Sequence, residues 1–457
     1  MNRGTRWLLV FSAATTFACS ADPTSPLALG SVQLVAGDGQ SGTPGLALAD
    51  TLTVKVIDQT GHSPMSGVPV QWSIQYGGGS LDRTVDTTDV NGIARAVWTL
   101  GATPGTNQVT ASVADLPGVE FSATARGFQA VQVSAGASHT CALDGSGHAW
   151  CWGYDWAGQL GDSDSAAGNG FRKVYVPQPV IGGHTFMQIA AGSAHTCALD
   201  TSGAAWCWGH GTLGELGDGA ATSSVTPVAV AGGHQFTSIA DGGESTTCAL
   251  TSDGTAYCWG RNSGGIAGVG DTSLMIPSPA AVAGGHHFTS IMPNGTHSCG
   301  VATDSTAWCW GSDADDLLGD SGTSGGVSVA PIAVSGGHHF TVLVTGDLQD
   351  CGIAEGGAWL CWGLNLSSVP VAERALDGMT DVNLGEFLGA ALLGRSARTW
   401  YTLGTPTDPG APVLLHGLSA TEAHACGLGA DGTVYCWGAN DSGQLGNPDQ
   451  FGYDDAY

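Results

Sequence analysis

The chemistry-bearing residues of this chain fall into a strict pattern. Twelve of its thirteen cysteines form six pairs: Cys141 and Cys151, Cys197 and Cys207, Cys248 and Cys258, Cys299 and Cys309, Cys351 and Cys361, Cys426 and Cys436. Each pair is separated by ten positions, and the second member sits in a Cys-Trp-Gly stretch. Zinc sites usually take ligands from close Cys-x-x-Cys pairs, and the chain has none. Thiol redox catalysis needs one reactive pair in an electropositive setting, not six equivalent pairs in an acidic chain. If Asp144 to His148 form the turn of a hairpin, Ala142 faces Trp150 and Cys141 faces Cys151. Facing residues of an antiparallel ladder lie about 4.5–5.5 Å apart at Cα, within reach of a disulfide. The expected chemistry is therefore a staple across each hairpin. On the loop-entropy view each staple is worth roughly 2–3 kcal/mol. Buried free thiols are the alternative in a reducing compartment.

The elements that position these pairs recur. Copies of one unit run from His139 to Gly153, His195 to Gly209, Thr247 to Gly260, His297 to Gly311, Gln349 to Gly363 and His424 to Gly438. A degenerate copy at Leu392 to Gly404 makes seven, and places Leu392 and Thr402 where the others have cysteine. Both cysteines are missing together, as expected of partners. A repeat of about 50 residues with this strand content reads as a propeller blade.

The composite AGSAHTCALDTSGAAWCWG followed by GELGDG, and its cognate at 135–153 followed by GQLGD, resembles the repeat of the regulator of chromosome condensation family. The resemblance covers roughly 128–446 and implies a seven-bladed β-propeller. It also implies structural roles for His139, His195, His297 and His424. The founder's nucleotide-exchange and chromatin activities are not carried over. A secreted inhibitor of bacterial enzymes is similar to the same propeller, so inhibition is one form that binding would take.

Ahead of the repeats, residues 31–127 alternate apolar and polar positions in short runs, as in Leu52 to Ile57 and Val68 to Ile74. The stretches GVPVQWSI, TTDVNGIARAVWTLG and PGTNQVTASV resemble the invasin-type bacterial immunoglobulin-like domain, which implies a rigid spacer. The fold class expected is all-β: an immunoglobulin-like β-sandwich followed by a seven-bladed β-propeller over 128–457.

Residues 1–18 read as an export signal, with Arg3 and Arg6 ahead of the apolar run Trp7 to Ala14. Thr16-Phe17-Ala18-Cys19 resembles a bacterial lipobox, so Cys19 is the expected lipidation site and 19–30 a tether. The expected location is the cell envelope or cell surface, with membrane contact only through the lipid anchor, or secretion without it. The chain has 12 Lys and Arg against 39 Asp and Glu, a net charge of -27. Such a body repels nucleic acid and anionic membrane surfaces.

Other candidates point to little chemistry. His184, His234, His286 and His338 follow Gly-Gly pairs and read as turn histidines rather than a metal ring. Asp162 with Asp164, Asp313 with Asp315 and Asp316, and Asp454 with Asp455 lack the spacing of an EF-hand calcium loop. There is no Walker loop and no His-Glu-x-x-His pattern. No metal or cofactor is expected. The insertion from Asp162 to Val176 sets Phe171, Arg172, Lys173 and Tyr175 together in an acidic chain, and reads as a candidate partner-binding loop. The expected function is a non-enzymatic, monomeric binding scaffold for a protein or surface glycan. The competing class is a polysaccharide hydrolase or lyase using the propeller's funnel. Only eleven residues follow Gly446, so the ring either closes in an unusual way or the sequence is cut short.

Overall fold

The computed structural model describes residues 28–42, 44–101, 105–126, 129–163, 171–241, 245–322, 325–384, 388–401, 414–421 and 424–446. The chain divides into two compact units between Arg126 and Gly127. The stretch expected to be an export signal, residues 1–18, and the expected lipidation site Cys19 lie outside the described residues. Among the described residues no helix is long and apolar enough to cross a membrane.

In the first unit a three-stranded sheet contains Leu29–Ala36, Leu52–Asp58 and Ile93–Ala96. A five-stranded sheet runs in the order Gln40–Gly42, Val119–Ala125, Gly105–Ser112, Pro69–Tyr76 and Val85–Thr87. The alternation seen in the sequence sends Leu52, Val54 and Val56 from one sheet, and Trp72, Val109 and Phe121 from the other, into one apolar core. No cysteine lies in this unit's described part, so packing holds it together.

The second unit contains seven antiparallel sheets in chain order among its described residues, at 130–179, 186–229, 236–281, 288–333, 340–372, 379–401 and 415–438. They are called sheets one to seven here. Sheets one to five have four strands in sequential order; six and seven have three. The first strands of successive sheets touch one another, so they lie innermost. Sheet seven also touches sheet one. Ala130 N donates to Gly432 O at 2.7 Å, and Ala135 N donates to Ser419 Oγ at 2.9 Å. Connections from strand one to two and from strand three to four share one end of the ring. The two-to-three hairpin turns share the other end with the Gly-Gly-His connections between sheets.

Sheet six departs from the expected register. Its hairpin turns on Gly394 and Arg395 between the facing Leu393 and Ser396, where sheet three spans Thr251 to Thr255. The shorter turn moves the cysteine-equivalent positions to Ala390 and Thr399, which face each other, in place of Leu392 and Thr402. The packing agrees: Ala391 meets the disulfide of sheet five as Ala249 meets that of sheet two. Sheet six thus lacks both cysteines, at positions the repeat alignment misplaces.

Candidate functional site

Every cysteine pair of the repeat faces its partner across the second and third strands of its sheet, as Cys141 faces Cys151. The sulfurs lie 2.04–2.13 Å apart and the Cα atoms 4.1 Å apart. Alternation puts the flanking indoles on the opposite face. Each disulfide of sheets one to four therefore packs in one cluster with the second tryptophan of the next sheet: Trp208, Trp259, Trp310 and Trp362. Trp152 closes the series against Cys426 and Cys436.

These five indoles also share a hydrogen bond. The Nε1 of Trp208, Trp259, Trp310 and Trp362 donates to the carbonyl of Gln159, Glu215, Ile266 and Leu317, at 2.9–3.0 Å. Trp152 donates to Gln444 O at 2.9 Å. Each acceptor belongs to the Gly-x-Leu-Gly turn, or its variant, of the preceding sheet. An Asp or Asn carboxyl or amide oxygen braces the turn in four cases, the longest from Leu160 N to Asp155 Oδ1 at 3.5 Å. Ala267 N, Leu318 N and Leu445 N donate to Asn262, Asp313 and Asn440 at 3.0 Å. Asp313, weighed above as a calcium ligand, is engaged in this way. Asp162 pairs with Arg172, and Asp164, Asp454 and Asp455 lie outside the described residues.

The histidines two places before the first cysteine are buried and span the seams. His139 Nε2 meets Thr196 Oγ1 at 2.9 Å, and His424 Nε2 meets Thr140 Oγ1 at 2.8 Å. Burial away from any carboxylate pushes their pKa down, to about 3 and about 4. His195 Nε2 keeps this contact, to Thr247 Oγ1 at 2.9 Å, and also meets Asp241, while His297 meets Asp350 in place of a threonine, each carboxylate at 2.7 Å. Burial lowers both imidazole values, but the facing carboxylates override it and hold them above the ordinary value. His195, Cys197 and Asp241 converge, as do His297, Cys299 and Asp350. In both groups the sulfur is bonded to another sulfur, so no thiolate is present to bind a metal. Three of the four Gly-Gly-His imidazoles lie on their own sheets' aromatics: His184 on Trp206 at 3.9 Å, His234 on Tyr257 at 4.2 Å and His286 on Trp308 at 3.8 Å.

The end of the ring carrying the strand-three-to-four connections has a different character. Trp156, Phe171, Leu213, Leu274, Met275, Val327 and Leu366 are exposed there, in sheets one to five. Asp218, Asp271, Asp315, Asp316 and Asp320 occupy the same connections.

The residues expected in a binding loop fall at the start of the fourth strand of sheet one. Arg172, Lys173 and Tyr175 lie on the strand Arg172–Pro179. Arg172 Nη1 reaches Asp155 Oδ2 at 3.1 Å and Asp162 Oδ1 at 2.9 Å. Lys173 Nζ donates to Asp441 O, and Gly443 sits against the Tyr175 ring. These residues join sheet one to its own turn and to sheet seven, because the acids they need stand close by. Phe171 keeps an outward position, 75% exposed and stacked on Tyr154 at 5.9 Å. Trp156 is not singled out by the sequence, since no other repeat has tryptophan there.

Fold and site together define a disulfide-stapled β-propeller of repeats. The chain carries regulator of chromosome condensation (RCC1) repeats, matched at 130–159, 188–215, 236–266 and 417–444, with a second form of the repeat at 146–199. It is similar to the ultraviolet-B receptor UVR8 of Arabidopsis thaliana, 25% identical over 69% of this chain and 66% of that protein. It is also similar to the E3 ubiquitin-protein ligase HERC2 of Homo sapiens, 27% identical over 67% of this chain and 7% of that protein. The chain thus spans less than two thirds of these relatives. Human WBSCR16 shares the fold at TM-score 0.58 and 18% identity, covering 70% of this chain and 89% of that one. So does Prp20p of Saccharomyces cerevisiae, at TM-score 0.57 and 19% identity, covering 72% and 85%.

Proposed function

We propose that this chain is an exported, lipid-anchored surface protein whose seven-bladed propeller is a non-catalytic scaffold for a protein partner. An immunoglobulin-like first unit serves as its spacer. The observation that carries the reading is the exposed apolar set on one end of the ring, from Trp156 to Leu366, amid acidic side chains. A staple in each of sheets one to five, and an indole lock on the turn of each of sheets one to four, hold the connections bearing that set, so little order is lost when a partner docks. Prp20p has binding properties toward Gsp1p and histones, which supports a protein partner for this fold. Export and a net charge of -27 argue for a different partner, outside the cell and free of nucleic acid.

The test is capture from envelope extract by the full chain and by a variant carrying Phe171→Ser and Leu274→Ser. Capture of a defined protein by the parent and its loss in the variant is the expected result. Equal capture by both removes this face from the function. Anchoring is tested separately. Cys19→Ala is expected to release the protein from the membrane fraction, and continued retention would contradict lipidation at Cys19.

A further inference from the structure

Between sheets one and two the exposed end of the ring carries a small aromatic platform. Trp156 is 43% exposed, and its ring lies 5.1 Å from that of His210, tilted by 40°. His210 is fixed on both nitrogens. Nδ1 meets Glu215 Oε1 at 2.7 Å, and Nε2 meets Thr212 Oγ1 at 2.9 Å. Glu215 is fully buried, and its second oxygen accepts from Leu213 N at 2.7 Å. Burial works against its charge, yet the hydrogen bond from His210 and further polar contacts hold its pKa below the usual value. A buried carboxylate thus stands beneath the imidazole that backs the indole. Asp155 and Arg172 form the last facing pair of strands three and four, so Trp156 and Phe171 follow one step beyond it on opposite strands. Two exposed aromatics therefore stand at the same end of sheet one. Nearby cations are already engaged: Arg172 by Asp155 and Asp162, and Lys173 by the Asp441 carbonyl.

We infer that this platform receives a cationic side chain, arginine or lysine, presented by a basic segment of the partner. The reason is complementarity. An indole face exposed to solvent attracts a cation through its ring quadrupole. The surrounding charge has the same preference, because the body is strongly acidic and the local basic groups are spent. A neutral pyranose would gain from stacking on Trp156 but nothing from the charge. The inference rests on the scaffold reading and assigns one point of contact within it.

The test uses the full chain lacking residues 1–18 and a synthetic peptide of alternating arginine and glycine. A glutamine-for-arginine peptide and a neutral oligosaccharide set serve as controls. The arginine peptide is expected to bind, and Trp156→Ala to weaken it about tenfold. Trp156→Phe should stay within about threefold of the parent, since an aromatic face remains. Unchanged thermal midpoints for these exposed-site variants show that the fold is intact. Equal binding by Trp156→Ala and the parent overturns the platform, as does absence of peptide binding. Preference for the oligosaccharides, lost in Trp156→Ala, assigns the platform to sugar instead. If the platform fails while Phe171→Ser with Leu274→Ser still abolishes partner capture, the scaffold reading stands without it.

Discussion

The seam between sheets one and two and the seam between sheets six and seven are made from the same repeat and held differently. At the first, the Trp208 indole donates to the Gln159 carbonyl, which also accepts from Thr196 Oγ1 at 3.0 Å. His139 reaches Thr196. The Gln132 amide pairs with both backbone groups of Ile189, at 3.0 and 3.1 Å. A disulfide packs on the indole. At the second seam, Asn383 Nδ2 reaches Leu418 O at 3.4 Å, and Trp437 packs on alanines and leucines. The Trp437 Nε1 is buried with no hydrogen-bond partner among the described residues. Sheet six lacks the Gly-x-Leu-Gly motif and the cysteine pair together. The indole and the turn before it work as a unit, and loss of the turn strands the indole of the next sheet.

The broadest way to break the contrast is complete reduction. With six staples worth roughly 2–3 kcal/mol each, reduction should exceed the stability of an ordinary domain and unfold the propeller at 37 °C. Retained near-ultraviolet circular dichroism with twelve titrated thiols would contradict a stapling role.

Acid separates the seams next. The unfolded chain protonates its histidines near pH 6.5, whereas folded His139 and His424 resist to about 3 and about 4. Between those limits the unfolded state holds more protons, so stability falls as pH falls, by about 3 kcal/mol per histidine at pH 4. His195 and His297 have raised values, so their contribution is full below 6.5 and fades as pH rises through those values. Urea unfolding of His139→Gln across pH 4–7 should show a shallower acid loss than the parent. An identical slope would contradict the burial of a neutral imidazole.

A stapled sheet six sharpens the contrast. Cysteines at Ala390→Cys and Thr399→Cys face each other in the ladder and should add about 2–3 kcal/mol when oxidised, less any strain. The pair Leu392→Cys and Thr402→Cys, chosen from repeat alignment, should leave free thiols. The reverse outcome would restore the register expected from sequence. The smallest effect separates two indoles. Trp208→Phe removes a buried hydrogen bond and should cost about 1–2 kcal/mol. Trp437→Phe removes an unpaired N–H and should lie within about 1 kcal/mol of neutral, measured by thermal unfolding.

Much of this is legible in the order of the residues alone. Ten-residue spacing across a five-residue turn dictates which cysteines face, so the six pairs can be read directly. Sheet six escapes that reading because Gly394 and Arg395 close a shorter hairpin, and similarity between repeats does not register a turn that loses residues. Arg172 and Lys173 stand out as rare cations, but a rare cation in an acidic chain finds an internal partner first, here Asp155 and Asp162. The indole lock also has a signal in the sequence: the second tryptophan of five repeats follows a repeat that carries the Gly-x-Leu-Gly turn or its variant, and Trp437 is the exception. Trp156 and His210 carry no such signal, since their pairing joins unrepeated positions of two neighbouring sheets.

Hydrogen exchange measured by mass spectrometry on the oxidised protein tests the contrast between seams most directly. Amides of 379–401 and 415–438 are expected to exchange well ahead of those in 186–229 and 236–281, with the difference erased on the six–seven side by the oxidised Ala390→Cys, Thr399→Cys pair. Uniform protection around all seven sheets would show that the indole and disulfide locks do not set the rigidity of the ring.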